Sequence, residues 1–146
     1  MPGTADLRAP SRATRGRRRR RVVATVVLVL VVVAGLVVHE ALPGSTFTDI
    51  AGDALYTVAV YLGVTLLWPR GRPLVVGGVA ALWCVAVELL QLTGLPQQWG
   101  AAWPPLRLVL GSGFDARDLV VYACAAAACA AIDAVIARRG SLRASG

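Results

Sequence analysis

Apolar residues gather into four runs separated by short breaks rich in glycine, proline and charge, and these runs predict helices over about 22–39, 52–68, 74–92 and 118–136. A helix rises about 1.5 Å per residue, so roughly 17 to 20 residues cross a hydrocarbon core of about 30 Å. Each run is close to that length. The second is the shortest and needs Gly52, Asp53 and an interfacial Trp68 to complete it. The break "WPRGRP" brackets a glycine between Pro69 and Pro73, which stop and restart the chain and force an antiparallel hairpin. The expected fold is therefore an all-α membrane protein: four transmembrane helices in an antiparallel bundle over residues 22–139, between a 1–21 tail and a 140–146 tail. The last helix, "YACAAAACAAIDAV", is alanine-rich, and small residues let helix backbones approach closely in lipid, so it is the expected packing centre. Gly77 and Gly78 are expected to serve the same purpose in the third helix.

Composition supports a lipid environment. Of 146 residues, 57% are hydrophobic and 16% charged, too apolar for an ordinary soluble domain. All 15 basic residues are arginine against 8 acidic ones, a net charge of +7 that elsewhere points to nucleic acid. Here eight arginines precede Val22, ending in the run Arg17 to Arg21, and the next 17 positions carry no charge. No aromatic or nucleic-acid fold motif accompanies them. The tail reads as a disordered cytoplasmic flank attracting anionic headgroups, and nucleic acid is not an expected partner. "GLVVHEALPG" offers no small-residue cleavage site, and the consensus around the paired arginines is poor for twin-arginine export, so a retained first helix is expected over a cleaved signal. With both termini inside, thirteen arginines lie on the cytoplasmic side and two, Arg107 and Arg117, lie outside.

The long segment from Thr93 to Arg117 carries Trp99, Trp103, three prolines and the apolar piece "LRLVLG". Its tryptophans fit an interfacial belt, and it is apolar enough to lie on or dip into the outer leaflet, as a lid over whatever sits beneath. Cys84, Cys124 and Cys129 fall inside apolar segments without a C-x-x-C pair, and the chain has one histidine. They read as small buried hydrophobes, with no metal site and no cofactor.

Folding the four segments antiparallel brings His39, Glu40, Asp53, Glu88, Gln91, Arg107, Asp115, Arg117 and Asp118 to one depth near the outer rim. Only Asp133 among the later acidic residues falls toward the inner side, where it is expected to pair with a cytoplasmic arginine. Asp53 after Gly52, and Asp115 and Asp118 before the last helix, all suit helix capping. Arg107 and Arg117 are as readily salt-bridge partners or headgroup contacts as reactive groups. Glu88 resists such readings: it lies near the C-terminal end of its helix, where the dipole disfavours a negative charge, and is too short to snorkel far. Gln91 shares its face at i+3, so the pair is expected to point inward toward Asp53, Arg107 or Arg117. A charge within a membrane segment costs on the order of 3 kcal/mol on insertion scales. Either a functional site or a register-fixing network justifies that cost.

On "GDALYTVAVYLGV" (52–64), "ELLQLTGLP" (88–96) and "LRLVLGSGFDARDLVVY" (106–122), the chain resembles the bacterial DUF2809 family of small uncharacterised membrane proteins, over roughly Val38 to Tyr122. More distantly it is similar to the VanZ-like family associated with teicoplanin resistance, although that family's lysine near the domain start has no counterpart in a chain without lysine. The resemblance implies a bacterial inner-membrane address. It singles out Asp53, Tyr56, Glu88, Gln91, Gly111, Gly113, Phe114, Asp118 and Tyr122, and makes "GSGFD" a turn into the last helix rather than a nucleotide loop.

Two main functions compete. The first is a non-catalytic membrane protein whose polar rim, built on Asp53, Glu88, Gln91, Arg107, Arg117 and Asp118, binds a lipid headgroup, an envelope precursor or a membrane partner. The second is a membrane enzyme in which Glu88, Asp53 or Asp118 acts as general acid or base on a lipid-linked substrate while Arg107 or Arg117 holds phosphate. Glycopeptide resistance stands beside it as an alternative from the VanZ-like resemblance. Transport is third, because no chain of ionisable groups spans the bilayer.

Overall fold

The computed structural model describes residues 12–111 and 113–142, which form six helices. They are α1 (Arg12–Ala41), α2 (Thr46–Leu67), α3 (Pro73–Gln91), α4 (Leu95–Ala102), α5 (Pro105–Leu110) and α6 (Ala116–Leu142). Four of them, α1, α2, α3 and α6, are long and apolar enough to cross a membrane. The protein is a multi-pass membrane protein with the expected four spans.

Two helix starts differ from the pattern of apolar residues. The first helix begins at Arg12, so Arg17 to Arg21 stand on a continuous helix instead of in a disordered tail. Arginine is a good helix former, and an adjoining apolar helix propagates into it without a new nucleation step. The remainder of the expected tail, 1–11, and residues 143–146 lie outside the described residues. The second helix begins at Thr46, where Ser45 and Thr48 form a reciprocal capping box: the Thr48 N–H donates to Ser45 Oγ and the Ser45 N–H to Thr48 Oγ1. Polar Thr46, Thr48 and Asp49 hide this start from a hydropathy reading. Asp53 consequently stands two turns inside α2 and caps nothing.

α2, α3 and α6 pack on one another, whereas α1 packs against α2 alone. The centre is small-residue packing. A Cβ on Gly77 would lie 3.0 Å from Ala130 Cβ and 3.3 Å from Ala126 O, so α3 and α6 nearly touch along this stripe. Ala126, Ala130, Ala80 and Val76 are buried there with Tyr61. Gly78, which was expected to share the role, faces open space. Of the cysteines only Cys84 is fully buried; Cys129 is half-buried and Cys124 lies on the outer face of α6.

The segment between α3 and α6 is not an open loop. α4 and α5 pack on each other and on the end of α3 as a small helical cap, with Trp99 and Trp103 turned outward. Gly94 enters α4 with φ +72°, a conformation glycine adopts without penalty.

Candidate functional site

Glu88 and Gln91 occupy the buried face of the last turns of α3. Glu88 is 0% exposed, and a carboxylate so placed needs donors for both oxygens. Both come from the beginning of α6: the Asp115 N–H donates to Oε1 at 2.6 Å and the Tyr122 hydroxyl to Oε2 at 3.1 Å. Asp115 in turn accepts from the Arg117 N–H through Oδ1 at 2.9 Å, as an N-cap does. Glu88 therefore sits at the N-terminal end of α6, where the helix dipole favours an anion and offsets the unfavourable end of its own helix. The sequence demands a compensating partner and offers Asp53, Arg107 and Arg117 as candidates. Uncharged donors of α6 provide it instead.

Gln91 reaches across to the cap, donating from Nε2 to Leu110 O at 2.8 Å. Gly111 makes this approach feasible. Its φ of +69° with ψ −172° is a region open essentially to glycine, and a Cβ there would overlap Gln91 Nε2. Gln91 Oε1 is buried and has no hydrogen-bond partner among the described residues.

Asp118, in the first turn of α6, is buried, and it lies with Glu88 and Arg117 close enough to Asp53 of α2 to act on it electrostatically. Arg117 bridges the two aspartates of its own turn, from Nη2 to Asp115 Oδ2 at 3.3 Å and from Nε to Asp118 Oδ1 at 3.5 Å. Of the expected residues, the structure thus unites Asp53, Glu88, Arg117 and Asp118, with Tyr122 as a direct ligand of Glu88 and Gln91 one turn away.

Others separate from it. Arg107 lays its stem over Gly100 of α4, where a Cβ would come within 2.5 Å of its Cγ, and turns to a crevice shared with His39 and Glu40. Tyr56 accepts a hydrogen bond from Trp83 Nε1 at 3.0 Å between α2 and α3. Gly113 has open space around it, and Phe114 is exposed. Among the described residues no group of histidine, cysteine and carboxylate side chains has metal-binding geometry.

A second polar cluster closes the opposite end. The Arg20 guanidinium donates to Pro69 O at 2.8 Å, to Gly71 O at 3.2 Å and to Asp133 Oδ2 at 2.5 Å, and the Tyr61 hydroxyl donates to the same carboxylate oxygen at 2.9 Å. Asp133 does pair with an arginine, but with one 113 positions away instead of its helical neighbours. Nothing local distinguishes Arg20 within five consecutive arginines. Only a tyrosine and an aspartate within apolar runs hinted at this cluster.

A family model described as a protein of unknown function (DUF2809) matches residues 43–126. The chain belongs to the DUF2809 family. The DUF2809 match runs from the approach to α2 into the middle of α6, and so contains the whole Glu88 network and the α4–α5 cap while leaving out α1, Arg20 and Asp133. No solved structure matches the chain.

Proposed function

We propose that this protein is a non-catalytic, multi-pass membrane protein whose Glu88 end faces outward and binds a polar ligand: a lipid headgroup, an envelope precursor or a membrane partner. The observation that carries this reading is the pairing state of the network. Glu88 is sealed from solvent with both oxygens occupied, which suits a keystone better than a proton-transfer group. Beside it Gln91 Oε1 is a buried acceptor without a donor, which a ligand N–H or O–H would satisfy. Asp53 and Arg117 beside them are half-buried.

The arrangement of arginines supports the orientation. Arg17 to Arg21, Arg70, Arg72, Arg138 and Arg139 gather at one end, where positive loops face the cytoplasm of a bacterial inner membrane, and Arg107 and Arg117 lie at the other. The exposed face of α1 at Arg18, Arg19, Val22 and Val23 suits the phosphate and upper acyl chain of an anionic lipid.

A second reading, a membrane enzyme acting on a lipid-linked substrate, draws on the proximity of Asp53 and Asp118. Two carboxyls from different helices at one end of the bundle are the kind of groups from which general acid–base catalysis is built. Mass analysis of the purified protein separates the two. An unchanged ligand retained by wild type and lost in Asp53→Asn supports binding. Turnover of an added lipid-linked substrate that ceases in Asp53→Asn and Asp118→Asn supports the enzyme and overturns the first reading.

A further inference from the structure

The crevice that takes Arg107 away from the Glu88 network has a composition of its own. It is an open surface crevice of about 350 Å³ between the end of α1 and the cap, lined by the exposed His39, Glu40, Pro104, Pro105, Arg107 and Leu108. Its two walls, α1 and α5, do not pack against each other.

Three features point to an occupant. First, Asp115, Arg117, Asp118 and Glu88 at the same end are all engaged in ion pairs or hydrogen bonds, whereas the side chains of His39, Glu40 and Arg107 make none among the described residues. Second, the Arg107 stem is seated on Gly100, which directs the guanidinium without consuming its donors. Third, His39 and Glu40 follow directly on the uncharged run 22–38 of α1, which sets the crevice at the depth of lipid headgroups.

We infer that the crevice binds a phosphate–ammonium zwitterion of the phosphoethanolamine type. Arg107, with His39 beside it, takes the phosphate oxygens through charge-assisted hydrogen bonds. Glu40, at the negative end of the α1 dipole, takes the primary ammonium. A purely anionic headgroup leaves Glu40 opposed by nothing. A quaternary choline cannot donate a hydrogen bond to it, and no phenylalanine, tyrosine or tryptophan lines the crevice to supply an aromatic cage.

The test uses the full chain in nanodiscs of phosphatidylglycerol doped equally with phosphatidylethanolamine and phosphatidylcholine, with bound lipid read by native mass spectrometry. The expected result is enrichment of phosphatidylethanolamine over phosphatidylcholine by about tenfold, the value of one charge-assisted hydrogen bond. Glu40→Gln abolishes the preference, and Arg107→Gln lowers occupancy of both zwitterionic lipids by about tenfold. Gly100→Ala displaces Arg107 and follows Arg107→Gln. Soluble glycerophosphoethanolamine distinguishes the sources: competition shows that the headgroup alone is recognised, and retention against it shows that the intact lipid is. Equal binding of the lipid classes by wild type overturns the proposal, as does unchanged preference in Glu40→Gln. Asp53→Asn is expected to leave this preference intact, so loss of the rim ligand and loss of this site are read separately.

Discussion

Glu88 accepts from a backbone N–H at one oxygen and from a phenol at the other, so glutamine in its place presents an amide N–H₂ to one of two donors. Glu88→Gln is expected to lower detergent stability by about 1–3 kcal/mol despite conserving shape. Tyr122→Phe removes one donor from a sealed carboxylate and falls in the same range. Because the two act on one contact, the double variant is less destabilised than the sum of the singles, which a thermal-melt double-mutant cycle measures. Additive losses would show that the hydroxyl and carboxylate do not act together. Gly111→Ala combines a backbone region closed to alanine with overlap on Gln91, at a cost of about 1–3 kcal/mol. Gly113→Ala, in open space, is expected to melt like wild type.

At the scale of elements, α1 is the long helix with a single packing neighbour. It rests on α2, and its polar attachment is the Arg20 guanidinium between the α2–α3 turn and Asp133 of α6. The pair is about a quarter exposed on each side, partly desolvated, and worth about 1.5–3 kcal/mol. Asp133→Asn and Arg20→Gln are therefore expected to raise hydrogen exchange in the first turns of α1 and to lower the melting temperature, while Arg19→Gln, on the exposed side, leaves both unchanged. Equal effects from Arg19 and Arg20 would reduce the clasp to general charge. The end of α3 is firmer, because Glu88 joins it to α6 and Gln91 joins it to the cap.

Across the whole molecule, the long helices expose valine, leucine and isoleucine over most of their surface, as lipid-facing helices do. The asymmetry of arginine makes orientation testable. In a cysteine-free background, Ser45→Cys and Thr93→Cys are expected to react with a membrane-impermeant maleimide from outside intact cells, and Arg70→Cys only after the membrane is opened. All three positions are exposed. The reverse pattern overturns the proposed orientation and with it the outward ligand site.

The chain by itself determined what depends on local order. Run lengths set four spans, "WPRGRP" set a hairpin, the alanine stripe set the packing face, and a carboxylate near a helix C-terminus required a partner. Each follows from residues close in sequence, through helix period, hydropathy and the dipole. Tertiary structure alone decided which partners meet. It gave Glu88 the N-terminal end of α6 in place of Asp53, Arg107 or Arg117 side chains, chose Arg20 from five consecutive arginines, and moved Arg107 from the Asp53–Asp118 cluster to His39 and Glu40. Charges at one depth are interchangeable in a sequence. Helix rotation and the seating of a stem on one glycine determine which of them lie within hydrogen-bond reach.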